Sequence, residues 1–134
     1  MYLLDTNICI YVMKDSFPSL TKRLLNESPD NIAISAITIY ELEYGAAKSR
    51  WSDRTRDKLY SFLAPFTSIP FDAHDAATTG YLRALMAQQG SPIGPYDIQI
   101  AGQALARDLT VITHNFKEFS RIPGLKLEDW VNLS

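Results

Sequence analysis

Three carboxylates of this chain, Asp5, Glu41 and Asp97, are spaced so that a folded sheet could bring them to one edge. Asp5 ends the apolar run Tyr2-Leu3-Leu4 and is followed by Thr6-Asn7 and then by Ile8 through Val12. That run is too short and too apolar for a half-exposed strand and reads as a buried one. Asp5 then sits at a strand's carboxyl end, where open parallel sheets carry their ligand sites. Glu41 lies in the first turn of the helix expected after a second strand, and Asp97 in the first turn of the helix before a late strand. A fourth polar group, Asn115, follows that late strand, with Thr113 just ahead of it.

Each position also has a structural explanation. Thr38 to Glu41 and Asn115 to Glu118 match the spacing of a capping box. Asp97 in a first helical turn suits the helix dipole, and Asp5 or Thr6 can cap a helix that begins near Asn7. Jointly the pattern says more. Gly45 one turn after Glu41, and Ala101 one turn after Asp97, would let each helix lie close on the sheet. Carboxylates sharing a crevice repel one another, which raises their pKa values unless a cation is present. Oxygen-rich sets of this kind suit Mg²⁺ or Mn²⁺. Such ions orient and activate water in phosphodiester hydrolysis and stabilise charge on the phosphate and the leaving oxygen. Spacing alone leaves the metal-binding and the structural explanations both open.

The elements that must position these groups follow from periodicity and punctuation. Strands are expected over Tyr2–Leu4, Asn31–Ser35, Thr67–Ile69, Leu109–Thr113 and Leu125–Leu127. Helices are expected over Ile8–Lys14, from Pro18 to about Asn26, Thr38–Lys48, Trp51–Leu63, from an Asp72 cap to about Gln89, Pro95–Arg107, and from an Asn115 cap to about Arg121. Strands alternating with helices imply right-handed crossovers and a parallel α/β sheet covered on both faces.

The composition sets bounds. The 134 residues suggest one domain, 1–134. With 46% apolar and 21% charged residues the chain fits a globular class. A net charge of −2 means that a nucleic-acid partner would need a local basic surface. The segment Lys48 to Lys58 offers one: Lys48, Arg50, Arg54, Arg56 and Lys58 outweigh Asp53 and Asp57, +3 net. It reads equally as a helix face laced with ion pairs. Tyr40, Tyr44 and Trp51 nearby could stack bases or fill a contact between copies, and Arg83 and Lys117 are weaker candidates. Cys9, the one cysteine, has apolar neighbours and reads as a buried, inert thiol. His114 and His74 read as surface side chains, and Asp72 and Asp75 as capping residues. No apolar run approaches a membrane span and no signal peptide is visible, so the default is a cytoplasmic protein.

Four stretches carry a resemblance: Leu3-Leu4-Asp5-Thr6-Asn7, Ser35 to Leu42, Ile93 to Ala101, and Val111 to Phe119. In this order and at these distances they resemble the successive motifs of PIN-domain ribonucleases, and more narrowly the VapC toxins of bacterial toxin–antitoxin pairs. The tail Arg121 to Trp130 is similar to the same subgroup. The resemblance implies a three-layer sandwich around a central parallel sheet of four or five strands, and Mg²⁺- or Mn²⁺-dependent endoribonuclease activity. It implies metal binding by Asp5, Glu41 and Asp97. Asn115 falls where many PIN domains carry a fourth acid. It further implies a homodimer, silencing by a VapB-type antitoxin whose C-terminal segment wraps the toxin, and a tRNA substrate, the initiator tRNA cut in its anticodon stem-loop. The rival from another class is a catalytically silent PIN-like module that binds RNA or protein. A phosphatase or receiver domain is disfavoured, because Asn7 stands where the phosphatase pattern wants a second acid, and Thr113-His114-Asn115 lacks the receiver's lysine.

Overall fold

A computed structural model describes residues 1–132; the last two residues of the expected domain lie outside the described ones. Five strands, β1 (Tyr2–Leu4), β2 (Ile32–Ser35), β3 (Thr67–Ile69), β4 (Thr110–Ile112) and β5 (Lys126–Glu128), form one sheet in the order β3-β2-β1-β4-β5. Every neighbouring pair is parallel, as the alternation of strands and helices requires. The helices are α1 (Thr6–Met13), α2 (Pro18–Leu25), α3 (Ala36–Lys48), α4 (Ser52–Leu63), α5 (Ala73–Gln88), α6 (Pro95–Arg107) and α7 (Phe116–Phe119).

The two-residue period of the strands sorts the core. Leu3, Ala33 and Val111 join Leu82, Met86, Ile98, Ala101 and Ala104 of α5 and α6 on one face. Leu4, Ile32, Ile34 and Ile112 join Ile8, Leu20, Leu42, Leu59 and Trp130 on the other. Leu3 and Leu4 are both fully buried, one into each layer, so truncating either to Ala costs about 2–5 kcal/mol. Cys9 is buried in the second layer, as its neighbours predict.

The chain winds outward from β1 through β2 to β3, then crosses back to β4 and β5. The winding therefore reverses between β1 and β4, and crevices for ligands form at such reversals. Two contacts hold α6 in place there. Gly102 meets Thr79 of α5 so closely that an added Cβ would lie 2.0 Å from Thr79 Oγ1. Asp75, fully buried, accepts from Arg107 Nε at 3.0 Å and from Gln103 Nε2 at 3.0 Å. It also completes a capping box with Asp72, as expected of both residues.

Three local expectations are corrected. Helix α3 starts at Ala36, not Thr38, because Ser35 accepts the Ile37 N–H at 3.1 Å and caps it first. Glu41 thus lies in the second turn, and the Thr38–Glu41 capping box does not form. Gly45 does not bring α3 onto the sheet; its open side has no atom within 4 Å, and Ala46 is the buried small residue.

Candidate active site

The carboxyl end of β1 delivers Asp5 into the crevice, 4% exposed. Its backbone N–H donates to Ile112 O at 3.1 Å, and its side chain accepts the Ile8 N–H at 2.8 Å, so strand pairing and helix cap fix one carboxylate from both sides. Burial raises its pKa to about 6; hydrogen bonds from Thr113 and Ile8 pull it down, and the nearby Glu41 charge pushes it up again.

Glu41 approaches from α3 and is half-buried. Thr6 Oγ1 donates to its Oε1 at 2.8 Å and lies 3.1 Å from the buried Thr38 Oγ1. The chain of Thr38, Thr6 and Glu41 joins the starts of α1 and α3. Asp97, in the first turn of α6, is half-buried as well. Burial raises its pKa to about 7, helped by the charge of Glu118, by a hydrogen bond shared with Glu118, and by the charges of Asp5 and Glu41. The three sequence-derived acids therefore act on one another at one sheet edge.

Glu118 is the residue that spacing concealed. The expected Asn115–Glu118 capping box does not form, because Thr113 Oγ1 already takes the Asn115 N–H at 2.9 Å. Glu118 turns across to α6 instead, where its Oε1 accepts the Gly94 N–H at 3.1 Å. Asn115 is exposed and donates through Nδ2 to Glu118 Oε2 at 3.3 Å. Glu118, three residues after position 115, thus places a carboxylate beside Asp97 and in contact with Asn115.

Among the described residues no three His, Cys, Asp or Glu side chains form a ready metal cage. The chemistry of the acids nonetheless fits a hard divalent cation: all donors are oxygen, and Asp5 and Asp97 are carboxyls drawn out of water beside other carboxylates, so that burial first and neighbouring charge second raise their pKa values.

The remaining candidates separate. His114 is held, its Nδ1 lying 3.0 Å from Asp129 Oδ2 and its ring 5.9 Å from that of Phe17. His74 is exposed. Lys117 lines a cleft with Asn115, Glu118 and Arg121 beside the acids, whereas Arg83 lines a separate groove with Phe71 and Gly80. In the Lys48–Lys58 segment only Arg56 has an ion-pair partner among the described residues, Glu43 at 3.6 Å. Arg50 and Arg54 flank the Trp51 ring, and Lys48 sits over Tyr44. An apolar groove of about 440 Å³ between α1, α3 and α4, lined by Ile10, Met13, Leu42 and Leu59 with Lys14 and Lys58 beside them, reaches Glu41.

The PIN domain family model matches residues 2–125. The chain is 41% identical over 129 residues to the tRNA(fMet)-specific endonuclease VapC of Salmonella typhimurium, covering 96% of this chain and 97% of that protein. It is 41% identical over 131 residues to ribonuclease VapC2 of Rickettsia felis, covering 97% and 98%. Among solved structures, DNA-bound VapBC from Salmonella typhimurium superimposes with a TM-score of 0.91 at 40% identity, covering 96% of this chain and 97% of that one. VapBC2 from Rickettsia felis bound to a promoter DNA fragment gives 0.88 at 39%, covering 96% and 98%.

Proposed function

The chain belongs to the PIN-domain family and is an endoribonuclease of the VapC toxin kind, and from that premise we propose how its residues do the work. Asp5, Glu41, Asp97 and Glu118 would hold a divalent cation, Mg²⁺ or Mn²⁺, on which PIN-domain nucleases generally depend. Such an ion would supply activation of water and stabilisation of charge on the scissile phosphate. The chain's own part is positioning. Ile8 N–H and Thr113 fix the Asp5 carboxylate, and Thr6 aims Glu41. Glu118, held by the Gly94 N–H, places a second carboxylate beside Asp97. Asn115 orients Glu118.

The substrate is tRNA, by the name of the Salmonella relative the initiator species, with the anticodon stem-loop as the place of cutting. The partner is a VapB-type antitoxin; the apolar groove that ends at Glu41, with Lys14 and Lys58 beside it, suits a segment that would cover the acids. A homodimer acting in the cytoplasm completes the proposal. No helix among the described residues is long and apolar enough to cross a membrane.

One observation carries the mechanism: Asp5 is buried at the carboxyl end of β1, where the Ile8 N–H fixes its carboxylate and the neighbouring Thr6 holds Glu41 of α3. The intact set disfavours a catalytically silent module. The test is cleavage of a purified tRNA pool with Mg²⁺, with EDTA, and with Asp5→Asn, Asp97→Asn or Glu118→Gln. Activity should vanish in EDTA and in the Asp variants and fall steeply in Glu118→Gln, with each fold intact by circular dichroism. Full activity in EDTA would sink it.

A further inference from the structure

The acids fix where a phosphate is cut; they do not hold the nucleoside beside it. Tyr40 immediately precedes Glu41, and Tyr96 immediately precedes Asp97. Their rings meet edge to face across the site, centroids 5.8 Å apart at 67°, with the hydroxyls 3.4 Å apart. Both are solvent-exposed, 54% and 39%. An edge-to-face pair leaves a ring face free for a third aromatic partner. Tyr40, Tyr44 and Lys48 recur every fourth residue on α3, one stripe about 12 Å long, and Lys48 Nζ lies 4.8 Å from the centre of the Tyr44 ring. Lys48 has no carboxylate partner among the described residues. These groups, with Thr6 and Glu41, line a groove of about 620 Å³.

We infer that the Tyr40–Tyr96 pair is a stacking platform for one unpaired nucleobase next to the scissile phosphate, with Lys48 meeting the backbone beyond it; this rests on the endoribonuclease function. Charge and continuity select the occupant. The groove opens on Glu41, and its cation and ring faces match the alternating phosphates and bases of a single strand. A paired base cannot stack on it, because its faces are already covered within the helix. The platform therefore favours cuts in loops and is tolerant of base identity.

The test uses the full chain with Mn²⁺ and a short RNA hairpin whose unpaired loop contains the cut. Tyr40→Ala and Tyr96→Ala should each raise KM roughly ten- to hundredfold, the range of one lost base stack, with kcat nearly unchanged. Tyr40→Phe and Tyr96→Phe should retain wild-type KM. A hairpin abasic beside the cut should cost the wild type the same factor and the Ala variants nothing more. The fluorescence of 2-aminopurine at that position should be quenched on binding to the wild type and not to Tyr40→Ala, a reading independent of cleavage. Additive losses, an unchanged KM, or Ala variants that act only by shifting the oligomer in light scattering would overturn the inference. A wild type that cuts no RNA would instead fail the nuclease function itself.

Discussion

Thr6 Oγ1 donates to Glu41 Oε1 at 2.8 Å, across thirty-five positions of sequence. This bond makes the aim of one acid depend on the residue next to another, since Thr6 follows Asp5. Thr6→Val keeps the shape and removes the hydroxyl. It should lower kcat on the order of tenfold by loosening Glu41. It should cost about 1–2 kcal/mol in urea melts, since the buried Thr38 hydroxyl also loses its neighbour. A variant with unchanged kcat would show that Glu41 does not need this tether.

Divalent-ion affinity should climb with pH. Asp5 and Asp97 hold their protons up to about 6 and 7, so protons compete with the ion below that range and leave the carboxylates free to bind it above. Calorimetric titration with Mn²⁺ at pH 5.5 and 7.5 should show markedly weaker binding at the lower value. Equal affinity at both would remove these carboxyls from the ligand set.

The same shifts have a sign for stability. A carboxyl whose folded pKa is raised favours folding in its protonated form, so stability falls as pH rises from 3.8 towards about 7. Asp97→Asn should therefore raise the Tm of the metal-free protein at pH 8 by about 2–5 °C, a modest figure because Asp97 is only half-buried. Cleavage should be lost in the same variant.

Asp75 works in the opposite direction. Burial alone would raise its pKa, but bonds from Arg107, the Asp72 N–H and Gln103 hold it at about 2. Its contribution, roughly 1–2 kcal/mol, is present above 3.8 and lost as pH falls through 2. Arg107→Ala should cost about 3 kcal/mol at pH 7, because it strands a buried carboxylate. Denaturant melts at pH 7 and pH 2 should show that penalty shrinking at the lower value.

Gly102→Ala should destabilise by about 3 kcal/mol, since the new methyl meets Thr79 at its Cα and Cβ as well as its hydroxyl. Thr79→Ala in the same chain should recover part of the loss. A Gly102→Ala protein as stable as the wild type would mean that α5 and α6 can separate freely.

Much of the fold was legible because short apolar runs such as Tyr2–Leu4 alternate with longer helical patterns. Tyr2–Leu4 had to be buried, and its end had to carry Asp5 to the edge. What escaped was decided between distant segments. Glu118 looked like a capping partner for Asn115 because the spacing allows it; only the prior claim of Thr113 on the Asn115 N–H frees it to reach α6. Gly45 looked like a packing glycine, but helical position does not say which neighbour, sheet or groove, a face will meet. Gly102 carried no local signal, since its need for closeness lies wholly in Thr79, on another helix.

The pairing of β1 with β4 sets Tyr2 against Thr110 and Leu4 against Ile112. Closing so long a loop is entropically expensive and slow, so this pairing belongs among the late events of folding. Asp97 precedes β4, Glu118 follows it, and Asp97 comes beside Asp5 only once β4 docks. Helical content should therefore return before RNA cutting when the denatured chain is refolded.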